Sequence, residues 1–224
     1  MSVVERLRAL LAEKFKLKPE KIEVDDYPLL TVKWRMVARP PPYIYGIFIK
    51  AYKSGKIQVD AGPEPTRSEI REYLSRKKYG RMYEKAKTEE EKERILRKEH
   101  EEIGRILEDF KQRRFEKYLK MTSAFRFPGL RVGWSLADCA KSHMWGIEVA
   151  RRVSEKHGIE VRFEIDYESG FFTTFDSTGM DDEQLINETM KRVNAIAEAR
   201  EMFLSEKMMN EFLKSKGIEV SGAN

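Results

Sequence analysis

The sequence predicts an α+β fold: an antiparallel sheet of about five strands, packed by helices, with a charged helical hairpin projecting from it. Three observations lead there. Segments of period-two alternation fall in two groups, 29–60 and 160–176, each joined by turn residues. Segments of helical period flank and separate those groups. A stretch between them, 66–121, holds 18 Lys/Arg and 13 Asp/Glu, a net +5 equal to that of the whole 224-residue chain. Residues 1–65 and 122–224 are therefore read as one core domain, and 66–121 as a helical hairpin inserted in it.

Val3 to Phe15 places Val4, Leu7, Leu10 and Leu11 on one side and charges on the other, an amphipathic helix stopped before Pro19. From Leu29 to Val37, Leu30, Val32, Trp34 and Met36 alternate with Thr31, Lys33 and Arg35, a strand with one basic, solvated face. Arg39-Pro-Pro-Pro-Tyr43 is a stiff connection, because proline fixes φ and cannot donate. Tyr43 to Tyr52 is a second strand, and Ser54-Gly55 turns it into a third, Lys56 to Asp60, completing a meander.

Thr66 with Glu69, and Thr88 with Glu91, have the spacing of capping boxes. The second opens a helix to about Met121, whose apolar stripe of Leu96, Ile103, Ile106, Leu107 and Phe110 is narrow enough for a coiled-coil-like arm. Its interspersed charges of both signs describe a salt-bridged, solvated surface. A helix from Ser135 to His157 ends at Gly158. Glu160 to Tyr167 and Phe171 to Asp176 form a hairpin around Ser169-Gly170. Asp181 and Gln184 start a long final helix, striped with Ile186, Met190, Val193, Ile196, Phe203, Leu204, Met208 and Phe212. That stripe suits covering the sheet, sealing a homo-oligomer, or both.

Composition narrows the function classes. A pI near 9.1 favours polyanionic partners. The abundance of Lys, Arg and Glu is that of a hyperthermophile protein. A lone cysteine, Cys139, rules out an intramolecular disulfide and a cysteine-rich zinc site. Charges interrupt every apolar run, so no membrane span or secretory leader is expected, and the expected location is the cytoplasm. The three histidines are scattered, and no Walker loop, G-x-G-x-x-G or G-x-S-x-G occurs. No enzymatic activity, cofactor or metal is therefore expected. The nearest approach to a catalytic set is acidic, Asp60 with Glu164 and Asp166 on strands, in the manner of a metal-dependent nuclease.

The candidate site is a run of aromatic and basic residues from 123 to 152. Phe125, Arg126, Phe127 and Arg131 share a Pro/Gly-containing loop that leads to Trp134. On the helix that follows, Leu136, Ala140, His143, Ile147 and Ala150 share a core face. Trp145 points the other way, between Lys141 and Arg152. Aromatic side chains interleaved with cations stack bases and hold phosphates of a single strand. A covering element would equally account for Trp145 as core. Arg35, Arg39, Tyr43 and Tyr45 make a second aromatic–basic group on the meander.

The layout resembles the archaeal Thermo-DBP-related proteins. The resemblance is carried by the N-terminal helix and by a meander ending in Lys56-Ile-Gln-Val-Asp-Ala-Gly-Pro-Glu-Pro65. It continues through the stretch Phe125 to Trp145, the hairpin 160–176 and the long C-terminal helix. It implies an antiparallel sheet backed by helices, a narrow basic cleft that admits one strand of nucleic acid without sequence preference, and homo-oligomerisation. Residues 80–120 have no counterpart in it. The expected function is thus sequence-independent binding of single-stranded DNA, with RNA as the alternative polymer. An assembly role through the arm and the C-terminal helix is the competitor, and the nuclease a third reading.

Overall fold

The computed structural model describes residues 1–25, 31–41, 46–62, 74, 78–121, 136–164 and 170–219. Within them the chain is α+β, built on one six-stranded antiparallel sheet of order β1-β2-β3-β4-β6-β5. The strands are β1 (Glu23–Asp25), β2 (Val32–Ala38), β3 (Ile47–Tyr52), β4 (Lys56–Ala61), β5 (Arg162–Phe163) and β6 (Phe171–Asp176). The expected meander is β2–β3–β4, and the later hairpin joins it by pairing β6 with β4. The sixth strand is β1, whose three residues, Glu-Val-Asp, are too few to show a period.

Local chemistry explains the boundaries. Helix α1 (Val3–Phe15) opens on a capping box of Ser2 and Glu5 and closes at Lys16, which takes a left-handed φ of 52°. Between β3 and β4 the turn needs Gly55. Its φ is +90°, its carbonyl accepts from both the backbone N–H and the hydroxyl of Ser177, and a Cβ there would lie 2.7 Å from Thr178 Oγ1. Helix α6 (Asp182–Phe203) starts on the capping box of Asp181 and Gln184. The expected single C-terminal helix breaks at Leu204–Ser205, and α7 (Glu206–Ser215) follows.

The chain divides into two compact units, one of Met1–Pro63, Ile147–Glu164 and Glu168–Phe212, the other of Glu64–Gly146, Ile165–Tyr167 and Leu213–Asn224. Of the residues after 121, the described stretch 136–146 belongs to the second unit. In the first unit, α1 and α6 lie on the sheet, α1 against β2 and α6 against β3, β4 and β6. The register puts Met36, Ile49, Val59 and Thr173 in one row of that covered face, and Ala38, Ile47, Ala61, Phe171 and Phe163 in the next. Phe203 closes an aromatic trio with Phe163 and Phe171, with centroids 5.0–5.7 Å apart. Each fully buried aliphatic or phenyl group here contributes about 1.5–3 kcal/mol.

In the second unit, helices α2 (Gly80–Lys85) and α3 (Glu89–Lys111) pack together, and α3 begins at the expected box of Thr88 and Glu91. It ends ten residues before Met121, because Arg113 takes a left-handed φ of 58° and turns the chain into α4 (Glu116–Leu119). The turn folds Phe115 and Tyr118 back onto Phe110, with centroids at 5.9 and 5.0 Å. The buried stripe of α3 is Ile95, Glu99, Ile103, Ile106 and Phe110, so Leu96 is exposed instead of buried. Helix α5 (Leu136–His157) follows, its residues up to Gly146 in the second unit and those from Ile147 in the first. Among the described residues no helix is long and apolar enough to cross a membrane.

Candidate nucleic-acid interface

The face of the sheet opposite α1 and α6 is built by register. One row runs Glu23, Val37, Phe48, Asp60, Phe172, Arg162 across all six strands, and the next runs Asp25, Arg35, Lys50, Gln58, Thr174. Lys56 and Asp176 pair in a third, next to Tyr52. Because a strand alternates faces, most apolar letters went to the helices, and this side received the charged and polar residues together with Val37, Phe48 and Phe172.

Cations and rings meet on this face. Arg39 lies over the Phe48 ring at 5.9 Å, Lys50 over the same ring at 5.8 Å, and Lys56 over Tyr52 at 5.3 Å. Gly46 makes room for the Phe48 ring, since a Cβ there would stand 3.0 Å from it. The three rings Phe48, Tyr52 and Phe172 are half-buried, while the Arg35 and Arg39 side chains are 39% and 49% exposed. Acids alternate with the cations. Arg35 pairs with Asp25, Arg39 with Glu23 at 3.4 Å and Arg162 with Glu160 at 2.8 Å. Among the described residues of this face, Lys50 and Asp60 form a buried pair, 3.4 Å apart, and Asp60 also accepts from Gln58 Nε2 at 2.9 Å. Tyr52 Oη donates to Gln58 Oε1 at 3.3 Å, which extends this network to the exposed edge. A buried charge is tolerated only with such partners.

Of the residues singled out in the sequence, Arg35 and Arg39 come together here. Tyr43, Tyr45, Phe125, Arg126, Phe127, Arg131 and Trp134 lie outside the described residues. Trp145 requires a correction. Its side chain has no solvent exposure, and with Val149 and Val153, one and two turns on, it forms a second buried stripe of α5. Stacking a base requires an accessible ring, so Trp145 is core. That spacing of four was visible in the sequence. The flanking cations are also committed. Lys141 donates to the Glu219 carbonyl at 3.0 Å, and Arg152 Nε donates to Glu148 at 2.8 Å. Glu148 accepts two further bonds from Arg151, and these contacts, Arg151 first, hold its carboxyl down at about 2. The residues that sequence reasoning missed are Phe48, Tyr52, Lys56, Arg162 and Phe172. Their common face depends on pairing register, which one strand alone does not specify.

His143 lies on the core face, as its position on the helical wheel implies. Its ring stacks on Phe110 at 5.0 Å, and its Nδ1–H donates to the Cys139 carbonyl at 3.1 Å. Burial lowers its pKa to about 4, so it is neutral at pH 7. Asp60 is fully buried, Glu164 is exposed and Asp166 lies outside the described residues. Among the described residues no three His, Cys, Asp or Glu side chains are placed to hold a metal ion. No family model, curated protein or solved structure matches the chain.

Proposed function

We propose that the protein binds single-stranded nucleic acid, without sequence preference, on the polar face of its sheet. The observation that carries this is the alignment of Phe48, Tyr52 and Phe172 with Arg35, Arg39, Lys56 and Arg162 on one side of adjacent strands. Rings of this kind stack any base, and the cations beside them take phosphates. The ion pairs do not oppose it. Exposed pairs are worth roughly 0–1 kcal/mol, so a phosphate displaces Asp25 or Glu23 at little cost, while the pairs hold the guanidinium groups in position until then. A duplex keeps its bases stacked on one another and offers none to the rings.

Fluorescence anisotropy with a labelled single-stranded oligonucleotide and its duplex tests this. Single-strand preference is expected, and Phe48→Ala should weaken binding by about 1–3 kcal/mol, the worth of one stacked base. Equal affinity for duplex, or an unchanged affinity in a folded Phe48→Ala protein, overturns it. An assembly role is the second reading, favoured by Met82, Tyr83 and Leu96, which are 37–41% exposed on the helices of the second unit. It predicts self-association or protein capture that salt does not weaken.

A further inference from the structure

The second unit carries a concentration of charge that the sheet face does not use. Residues 111–120 contain Lys111, Arg113, Arg114, Lys117 and Lys120 against the single acid Glu116, a net +4. All six are exposed. The remainder of the 66–121 segment is close to neutral, so nearly all of its excess charge sits at this one turn.

The turn is also rigid. Phe110, Phe115, Tyr118 and His143 pack as an aromatic cluster beneath it, with centroids 5.0–6.2 Å apart. Asp109 accepts from Lys117 and, at 2.6 Å, from Tyr118 Oη, and Arg114 approaches it at 3.7 Å. These contacts hold the Asp109 carboxyl below the usual carboxylate range, Lys117 being the largest cause. Among the described residues Lys111, Arg113 and Lys120 have no acid within ion-pair distance. Arg113 keeps its left-handed backbone at a position where glycine or asparagine is the unstrained choice. An open cleft of about 510 Å³ adjoins the turn; its charged lining is balanced, Arg105, Arg114 and Lys117 against Glu102, Glu108 and Asp109, so the excess positive charge lies on the turn itself. Concentrated, exposed cations on a turn anchored by an aromatic cluster match the repeating charge of a phosphodiester chain. Lys117 and Lys120, three residues apart, stand about 5–6 Å from each other at Cβ, comparable to one nucleotide step.

We infer that the turn 111–120 is a second, sequence-independent phosphate contact for single-stranded nucleic acid, separate from the stacking face. This rests on the function proposed above. The test is the salt dependence of binding to labelled oligo(dT), measured for the full chain, for K111Q/R113N/K120Q and for K85Q/K87Q/K98Q. The control set removes the same three charges from exposed positions elsewhere in the second unit. Asparagine is used at 113 because it tolerates the left-handed backbone.

Each lost phosphate contact lowers the slope of log K against log salt by about 0.7, so the turn variant should lose about 2 and the control little. Equal losses would mean net charge alone, and an undiminished slope in the turn variant would mean no contact; either overturns the inference and leaves the sheet reading standing. Failure of the unmodified protein to bind any oligonucleotide overturns both. Loss of binding to acidic vesicles by the turn variant, with oligonucleotide binding unchanged, replaces nucleic acid by a lipid surface and equally overturns it. Thermal melts of both variants should match the parent, since every substituted side chain is exposed.

Discussion

At the scale of single residues, burial decides roles that letters leave open. His143 and Trp145 lie two positions apart on α5, both inaccessible. For His143 the consequence is a pH dependence of stability. Its folded pKa, about 4, lies below the 6.5 of an ordinary histidine, so between those values the unfolded chain takes up the proton first. Stability contributed by the neutral ring is fully present above pH 6.5 and is lost as pH falls to 4, by about 1–3 kcal/mol. Urea titrations at pH 7, 5.5 and 4 should show that loss, and His143→Phe should remove the part that falls between 6.5 and 4. The carboxyls of Glu102, Asp109 and Glu198 are also held down by their partners, so they add a loss of stability toward the acid end of that range, which His143→Phe leaves in place.

At the scale of elements, α5 illustrates how a helix reads differently once its surroundings are known. A helical wheel of its sequence finds one apolar face and assigns the rest to solvent. In the structure the Trp145–Val149–Val153 stripe is buried as well, so more than one side of the helix is covered. Trp145→Ala should therefore cost about 3–5 kcal/mol, with a lower melting temperature by circular dichroism, instead of acting on nucleic-acid affinity alone. The arm helix shows the same dependence on context. Thr88 and Glu91 set its start through local hydrogen bonds, and sequence spacing finds them. Its end at Lys111 follows from the return of Phe115 and Tyr118 onto Phe110, contacts between residues that local pattern does not join.

At the scale of the whole molecule, the +5 net charge is distributed unevenly. On the sheet face, exposed cations sit beside acids and rings. On the turn at 111–120, they are massed with one acid. Raising salt from 50 to 200 mM should leave the melting temperature almost unchanged, because most of the pairs are surface pairs of small worth. Oligonucleotide affinity over the same range should fall by at least about tenfold. Parallel titrations by thermal melt and anisotropy check both halves of that expectation.

The α+β class, the meander, the β6 strand, the helix starts at Thr88 and Asp181 and the core position of His143 follow from the sequence, because alternation, caps and turns are interactions between neighbours along the chain; the box read at Thr66 and Glu69 lies outside the described residues. The short β1, the break at Leu204, the burial of Trp145 and the gathering of Phe48, Tyr52, Lys56 and Phe172 beside Arg35 and Arg39 were decided by tertiary structure. Those features depend on strand register and on which surfaces are covered, and both are set between segments distant in sequence. The candidate site is therefore only partly visible in the letters: Arg35 and Arg39 are, but Lys56, Arg162 and the rings become apparent once the strands are paired.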